Sequence, residues 1–121
     1  MGKNVLVVDD SGAIRQSMRY VLENAGYTVT DASNGKEAMS VISSSTNLVI
    51  TDVNMPEMNG IDLVKAIRAS EAPLKTVPII ILTTESQADM KQKGKDAGAT
   101  AWVVKPFPPE EIISAVKRLI G

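Results

Sequence analysis

The chain has 121 residues, 44% of them hydrophobic and 22% charged, with a formal net charge of −1. That suits one folded domain with a core of its own, and it lacks the clustered basic excess of a nucleic-acid surface. No cysteine and no histidine occurs, which excludes thiol chemistry, the common zinc sites, Ser-His or Cys-His nucleophile pairs, and any phosphohistidine on the chain itself.

Met1 leads into a strand without a basic and apolar leader, and no apolar run approaches membrane-spanning length. A cytoplasmic, reduced setting is therefore expected. In chain order, Val5, Leu6, Val7 and Val8 form an unbroken apolar run that ends on Asp9 and Asp10, the mark of a strand buried on both faces. A helix follows, with Ile14, Met18, Val21, Leu22 and Ala25 at helical spacing on one side, and Gly26 stands where a left-handed cap is wanted. "YTVTDA" alternates apolar and polar residues, as a half-exposed edge strand does. "NGKEAMSVI" opens a second helix on Asn34, a good N-cap.

"LVITD" is the next buried strand, and Pro56 and Gly60 punctuate the "VNMPEMNG" loop after it. Ile61, Val64 and Ile67 turn a third helix inward. "PIIILTT", begun by Pro78, is apolar enough to be a central strand. A polar, lysine-bearing helix through Gln92 ends at Gly98, and "AWVV" is a fifth strand closed by Lys105 and Pro106. The last helix starts at Pro108 and Pro109, where missing donors cost little, and buries Ile112, Ile113, Val116, Leu119 and Ile120. Strict alternation of strand and helix implies a parallel sheet with right-handed crossovers. The fold class is thus α/β: a doubly wound five-stranded parallel sheet with helices on both faces, and a single domain over residues 1–121.

In such sheets functional groups gather at the carboxyl ends of the strands. Those ends carry Asp9-Asp10, Asp52, Thr83-Thr84 and Lys105, while the edge-like second strand ends on Asp31 without an evident partner. Three aspartates and one lysine leave a formal charge of minus two, which a divalent cation would neutralise. Hard oxygen ligands suit magnesium, which keeps several waters and welcomes a phosphate oxygen. A plainer origin competes at each position: an aspartate after a strand is often a helix N-cap, and a lysine before proline is often a solvated loop residue. Complementary charges at separate strand ends favour the metal site.

Through "VVDDS", the "DVNMPEMNG" run from Asp52, "IILTT" and "VVKPF", the chain resembles the receiver domain of two-component response regulators over essentially its whole length, and most of all the single-domain chemotaxis receivers of the CheY type. The resemblance implies the strand order 2-1-3-4-5. It implies that Asp52 is the phosphoacceptor and belongs to the Mg2+ site, that Asp10 binds Mg2+ directly with Asp9 acting largely through water, and that the backbone carbonyl of Asn54 completes the metal shell. Thr83 matches the hydroxyl that binds the phosphoryl group, and Lys105 the cation that pairs with it. Trp102 matches the switch aromatic, usually Tyr or Phe. Two roles stay open for it: a switch, or a residue that packs or lies exposed at the sheet edge.

By the same resemblance, Asn54, Thr84 and Glu85 match the family's rate-tuning positions. Thr84, bulkier than the usual Ala or Gly, is expected to narrow water's path and slow autodephosphorylation. The implied partners are a sensor histidine kinase of the chemotaxis type and an output protein such as a flagellar motor switch protein, met by a monomer through the fourth helix, fifth strand and last helix. No nucleic acid and no membrane insertion is expected. The alternatives are a phosphorelay intermediate or phosphate sink and, further off, a small magnesium-dependent phosphatase, whose paired aspartates would be spaced D-x-D. A flavin carrier would need hydroxyls where "DDSG" places carboxylates, and no P-loop sequence occurs.

Overall fold

Alternate residues of a strand face opposite sides of the sheet, so a continuous apolar run needs cover on both. The N-terminal run finds it. In a computed structural model, which describes residues 3–53, 55, 58–83 and 88–121 (without the side chains of 88–91), β1 (Asn4–Val8) puts Val5 and Val7 into one apolar cluster and Leu6 and Val8 into another. The first cluster is closed by Met18 and Leu22 of α1 (Gly12–Asn24) and by Ile112 and Val116 of α5 (Pro109–Ile120). The second is closed by Ala38 of α2 (Gly35–Val41) and by Leu63, Val64 and Ile67 of α3 (Gly60–Arg68).

Between these layers lie β2 (Thr28–Ala32), β3 (Thr46–Asp52), β4 (Ile79–Thr83) and β5 (Ala101–Val104). With β1 they form one five-stranded sheet in the order β2-β1-β3-β4-β5, every pairing parallel. The doubly wound α/β architecture is that expected from the alternation of elements, and the strand order is that implied by the resemblance. β4 is buried at every residue and β2 alternates, as a central and an edge strand should. α4 (Ala88–Ala97) joins β4 to β5.

Local chemistry sets the ends of the helices. Gly26 takes φ 97°, and the N–H groups of Gly26 and Tyr27 return to the carbonyls of Glu23 and Leu22, a Schellman ending of α1. Gly98, at φ 109°, ends α4 in the same way, with Gly98 and Ala99 bonded to Lys95 and Gly94. Asn34 accepts the N–H of Glu37, and Asn59 that of Asp62. Ile14 departs from expectation. It lies on the apolar side of α1 by spacing, yet it is 38% exposed. A short 3₁₀ turn, Leu74–Thr76, also went unread in the sequence between α3 and β4.

Candidate phosphoacceptor site

The parallel register brings the ends of β1, β3 and β4 together. Val8 pairs with Thr51 and Asp52 with Leu82, so the residues that follow β1, close β3 and end β4 share one edge. There the carboxylates of Asp9, Asp10 and Asp52 offer oxygens all within 4.8 Å of one another. Lys105, just after β5, reaches in from the far side. Its Nζ lies 3.4 Å from Asp9 Oδ2 and 3.3 Å from Asp52 Oδ2, and its own N–H donates to the carbonyl of Thr83 at 2.7 Å. Lys105 is thus no solvated loop residue. Asp9 is buried, Asp52 half-buried and Asp10 exposed, so the pocket opens to solvent on the Asp10 side.

The aspartate pair does not cap the following helix. Ser11 does, its Oγ accepting the N–H of Ile14, which removes the plain reading of the pair. Asp9 Oδ1 accepts the N–H of Ser11 at 2.9 Å. Burial raises the Asp9 carboxyl above its ordinary range, opposed by the Ser11 N–H and by Lys105 and reinforced by the charge of Asp52. A buried carboxylate beside two others, with one ammonium for compensation, is a site short of positive charge. Its donors are hard oxygens, so it fits a small divalent cation.

Asp52 is held by its own loop. Its Oδ1 accepts the N–H of Val53 at 2.7 Å, which leaves Oδ2 toward Lys105. Thr83 is fully buried at the end of β4, one residue beyond the partner of Asp52 in the ladder. Asn54, Thr84 and Glu85 lie outside the described residues.

Trp102 packs inward. The nearest atoms to a Cβ added at Gly94 would be the Trp102 ring, at 2.7 and 3.0 Å, and Ile81 Cδ1 at 3.1 Å. The indole therefore lies over the missing side chain of Gly94, on the sheet face that Ile81 shares. Its Nε1 is buried and has no hydrogen-bond partner among the described residues. Gly94, a residue that costs a helix interior about 1 kcal/mol relative to alanine, is the seat of this ring.

Two further residues shape the site and were not read from sequence as part of it. Gly60 opens α3 so close to the acceptor strand that an added Cβ would lie 2.2 Å from the Asp52 carbonyl oxygen; its position after the loop was visible, but the close approach was not. Arg15 answers the question of Asp31. Its Nε lies 3.3 Å from Asp31 Oδ2, and its Nη1 donates to the carbonyl of Asp9 at 2.7 Å.

Comparison with known proteins agrees with this geometry. Residues 5–117 match the family model described as the response regulator receiver domain. The chain belongs to the response regulator receiver family. The structure of chemotaxis protein CheY4 of Vibrio cholerae is 43% identical and superposes with a TM-score of 0.92, covering 98% of this chain and 99% of that one. Chemotaxis protein CheY1 of Helicobacter pylori is 39% identical over 97% of this chain and 96% of its own length. The phosphate regulon transcriptional regulatory protein PhoB of Pseudomonas aeruginosa is 34% identical over 99% of this chain, which spans only 52% of that regulator. The chain is thus a two-component signalling receiver homologous to chemotaxis regulators of its own length. Among the described residues, no helix is long and apolar enough to cross a membrane.

Proposed function

We propose that this chain acts as a stand-alone cytoplasmic receiver that accepts a phosphoryl group on Asp52 and, once modified, changes its affinity for a protein target. The observation that carries the proposal is the meeting of Asp9, Asp10 and Asp52 with Lys105 at one sheet edge.

In this reading Asp9, Asp10 and Asp52, with the carbonyl of Asn54, would hold Mg2+, whose charge would offset that of the carboxylates and of the incoming phosphoryl oxygens. Phosphoryl transfer asks a protein chiefly for alignment and charge neutralisation. Asp52 supplies the nucleophile: a carboxylate oxygen forms the bond to phosphorus as the phosphorus–nitrogen bond of a phosphohistidine on a partner kinase breaks, and the imidazole leaves. The Val53 N–H on Oδ1 fixes which oxygen faces the donor. Lys105 already bridges Asp9 and Asp52 and can turn its ammonium toward the new oxygens. Thr83 adds a hydroxyl from β4. Water later attacks phosphorus, releases inorganic phosphate and restores the carboxylate, with Asn54, Thr84 and Glu85 setting the pace. The chain is in this sense a phosphoacceptor that assists its own modification, not an enzyme that turns over a separate substrate.

Phosphorylation adds about −1.5 to −2 charges near neutrality, beside the β4–β5 edge that carries Trp102. Output through α4, β5 and α5 follows if Thr83 and Trp102 respond together. Near full-length similarity to chemotaxis regulators favours a flagellar motor switch protein as the target and a chemotaxis sensor kinase as the donor. A phosphorelay intermediate or phosphate sink is the second reading. Binding of the phosphorylated chain to a motor switch protein tests the choice. At least a tenfold gain in affinity over the unmodified chain supports motor control, whereas no gain, with rapid transfer of the phosphoryl group to a histidine-bearing partner, supports the relay.

A further inference from the structure

Two neighbouring carboxylates on a turn repel each other, and a cation site needs that turn fixed before the ion arrives. Four bonds tie down Asp9. Its N–H donates to the carbonyl of Ala32 at 3.1 Å, its Oδ1 accepts from Ser11, its Oδ2 from Lys105, and its main-chain carbonyl from Arg15 Nη1 at 2.7 Å. The last bond differs in kind. That carbonyl belongs to the peptide joining Asp9 to Asp10, so its direction sets the plane from which Asp10 departs.

Arg15 is built for this. Its N–H closes the first turn of α1 onto the carbonyl of Ser11, and a helical side chain leans back over the preceding turn, here the one that carries the aspartates. The Arg15 side chain is only 22% exposed. Its charge is matched by Asp31, which Arg19 also meets at 3.5 Å, while Arg19 is anchored on the Val29 carbonyl at 2.9 Å. A guanidinium already paired with a carboxylate brings little net charge to the pocket. What it brings is direction.

We propose that Arg15 is a positioning residue for the divalent-cation site: braced on Asp31 at the end of β2, it holds the Asp9–Asp10 peptide so that both carboxylates face the pocket. The proposal rests on the receiver reading above. It also gives the edge strand, otherwise remote from the chemistry, a part in the site.

Calorimetric titration of the full chain with Mg2+ tests it, alongside thermal unfolding in chelator. Arg15→Ala weakens Mg2+ binding about tenfold, the range in which loss of a ligand's supporting hydrogen bond falls, while Arg19→Ala stays within about twofold of the parent although it loses an ion pair to the same aspartate. Arg15→Lys falls between parent and alanine variant, because an ammonium keeps the charge but cannot reach two acceptors as a fork does. Equal Mg2+ affinity in Arg15→Ala and Arg19→Ala overturns the proposal, since both would then be merely structural. Full recovery by Arg15→Lys overturns it in favour of a pure charge effect. Should Arg15→Ala not fold, Asp31→Asn removes the brace alone. A threefold or greater loss of Mg2+ affinity then supports the role, and parent-like affinity refutes it. Failure of the parent itself to bind Mg2+ or to take phosphoryl on Asp52 from an acyl-phosphate donor would instead overturn the receiver reading, whatever the variants do.

Discussion

Replacing Gly94 by alanine sets helix propensity against packing, and the two predict opposite signs. Within a helix interior, alanine is favoured over glycine by about 1 kcal/mol. The structure opposes this gain: the new methyl would lie 2.7 Å from Trp102 Cζ3 and 3.0 Å from Cε3. Overfilling a packed site costs about 1–3 kcal/mol, so Gly94→Ala should destabilise the chain by about 1 kcal/mol net. For a domain of this size that lowers Tm by about 4 °C. With the ring removed the sign reverses, and Gly94→Ala made in a Trp102→Ala background should stabilise by about 1 kcal/mol. Urea unfolding of the four corners of this cycle, followed by far-UV circular dichroism, gives the coupling, expected at about 2 kcal/mol. Trp102 is the single tryptophan, so its emission should also shift to the red in Gly94→Ala as the indole is displaced. Stabilisation by Gly94→Ala in both backgrounds, with unchanged emission, would refute the seating of the ring.

Three other outcomes follow from the same structure. Burial raises the Asp9 carboxyl, so the folded state binds its proton more tightly than the unfolded chain, and without divalent cations Asp9 subtracts stability as pH rises from its ordinary value of 3.8. Asp9→Asn should then unfold at higher temperature than the parent in chelator at neutral pH, with the gain vanishing on acidification below that value; a pH-independent difference would contradict this. Arg68 donates to the carbonyls of Gly98, Lys75 and Val77, so Arg68→Ala should cost about 2–3 kcal/mol by urea denaturation, with Arg68→Lys restoring less than half. Gly60→Ala drives a methyl into the Asp52 carbonyl, a backbone contact that cannot swing aside. It should cost about 3 kcal/mol by the same assay and lower phosphoryl uptake even in the fraction that remains folded.

Much of this was legible in the residues. Alternation of β and α elements sets the layers, and the charged residues just past apolar strands mark the site edge because a parallel sheet brings its strand ends together. Asn34 and Gly26 announce their caps through side-chain and backbone chemistry that acts locally. What stayed hidden depends on close approach between distant segments. Gly60 and Gly94 look alike in sequence, as a loop end and a helix flaw, yet one admits a carbonyl and the other an indole. Asp31 lacked a partner because Arg15 reaches it across sixteen positions, from helix to edge strand. Ile14 keeps helical spacing but remains exposed, since periodicity names a helix face and not what covers it.

Phosphoryl uptake at Asp52, supported by a divalent cation, is the property on which the function of this chain turns. Intact-mass spectrometry after incubation with a small acyl-phosphate donor, with Mg2+ or with chelator, measures it directly, and peptide mapping locates the modification. One phosphoryl group on Asp52 in Mg2+, none in chelator and none in a folded Asp52→Asn variant is the predicted result. Equal labelling of Asp52→Asn in the same pocket, or labelling indifferent to Mg2+, would contradict it.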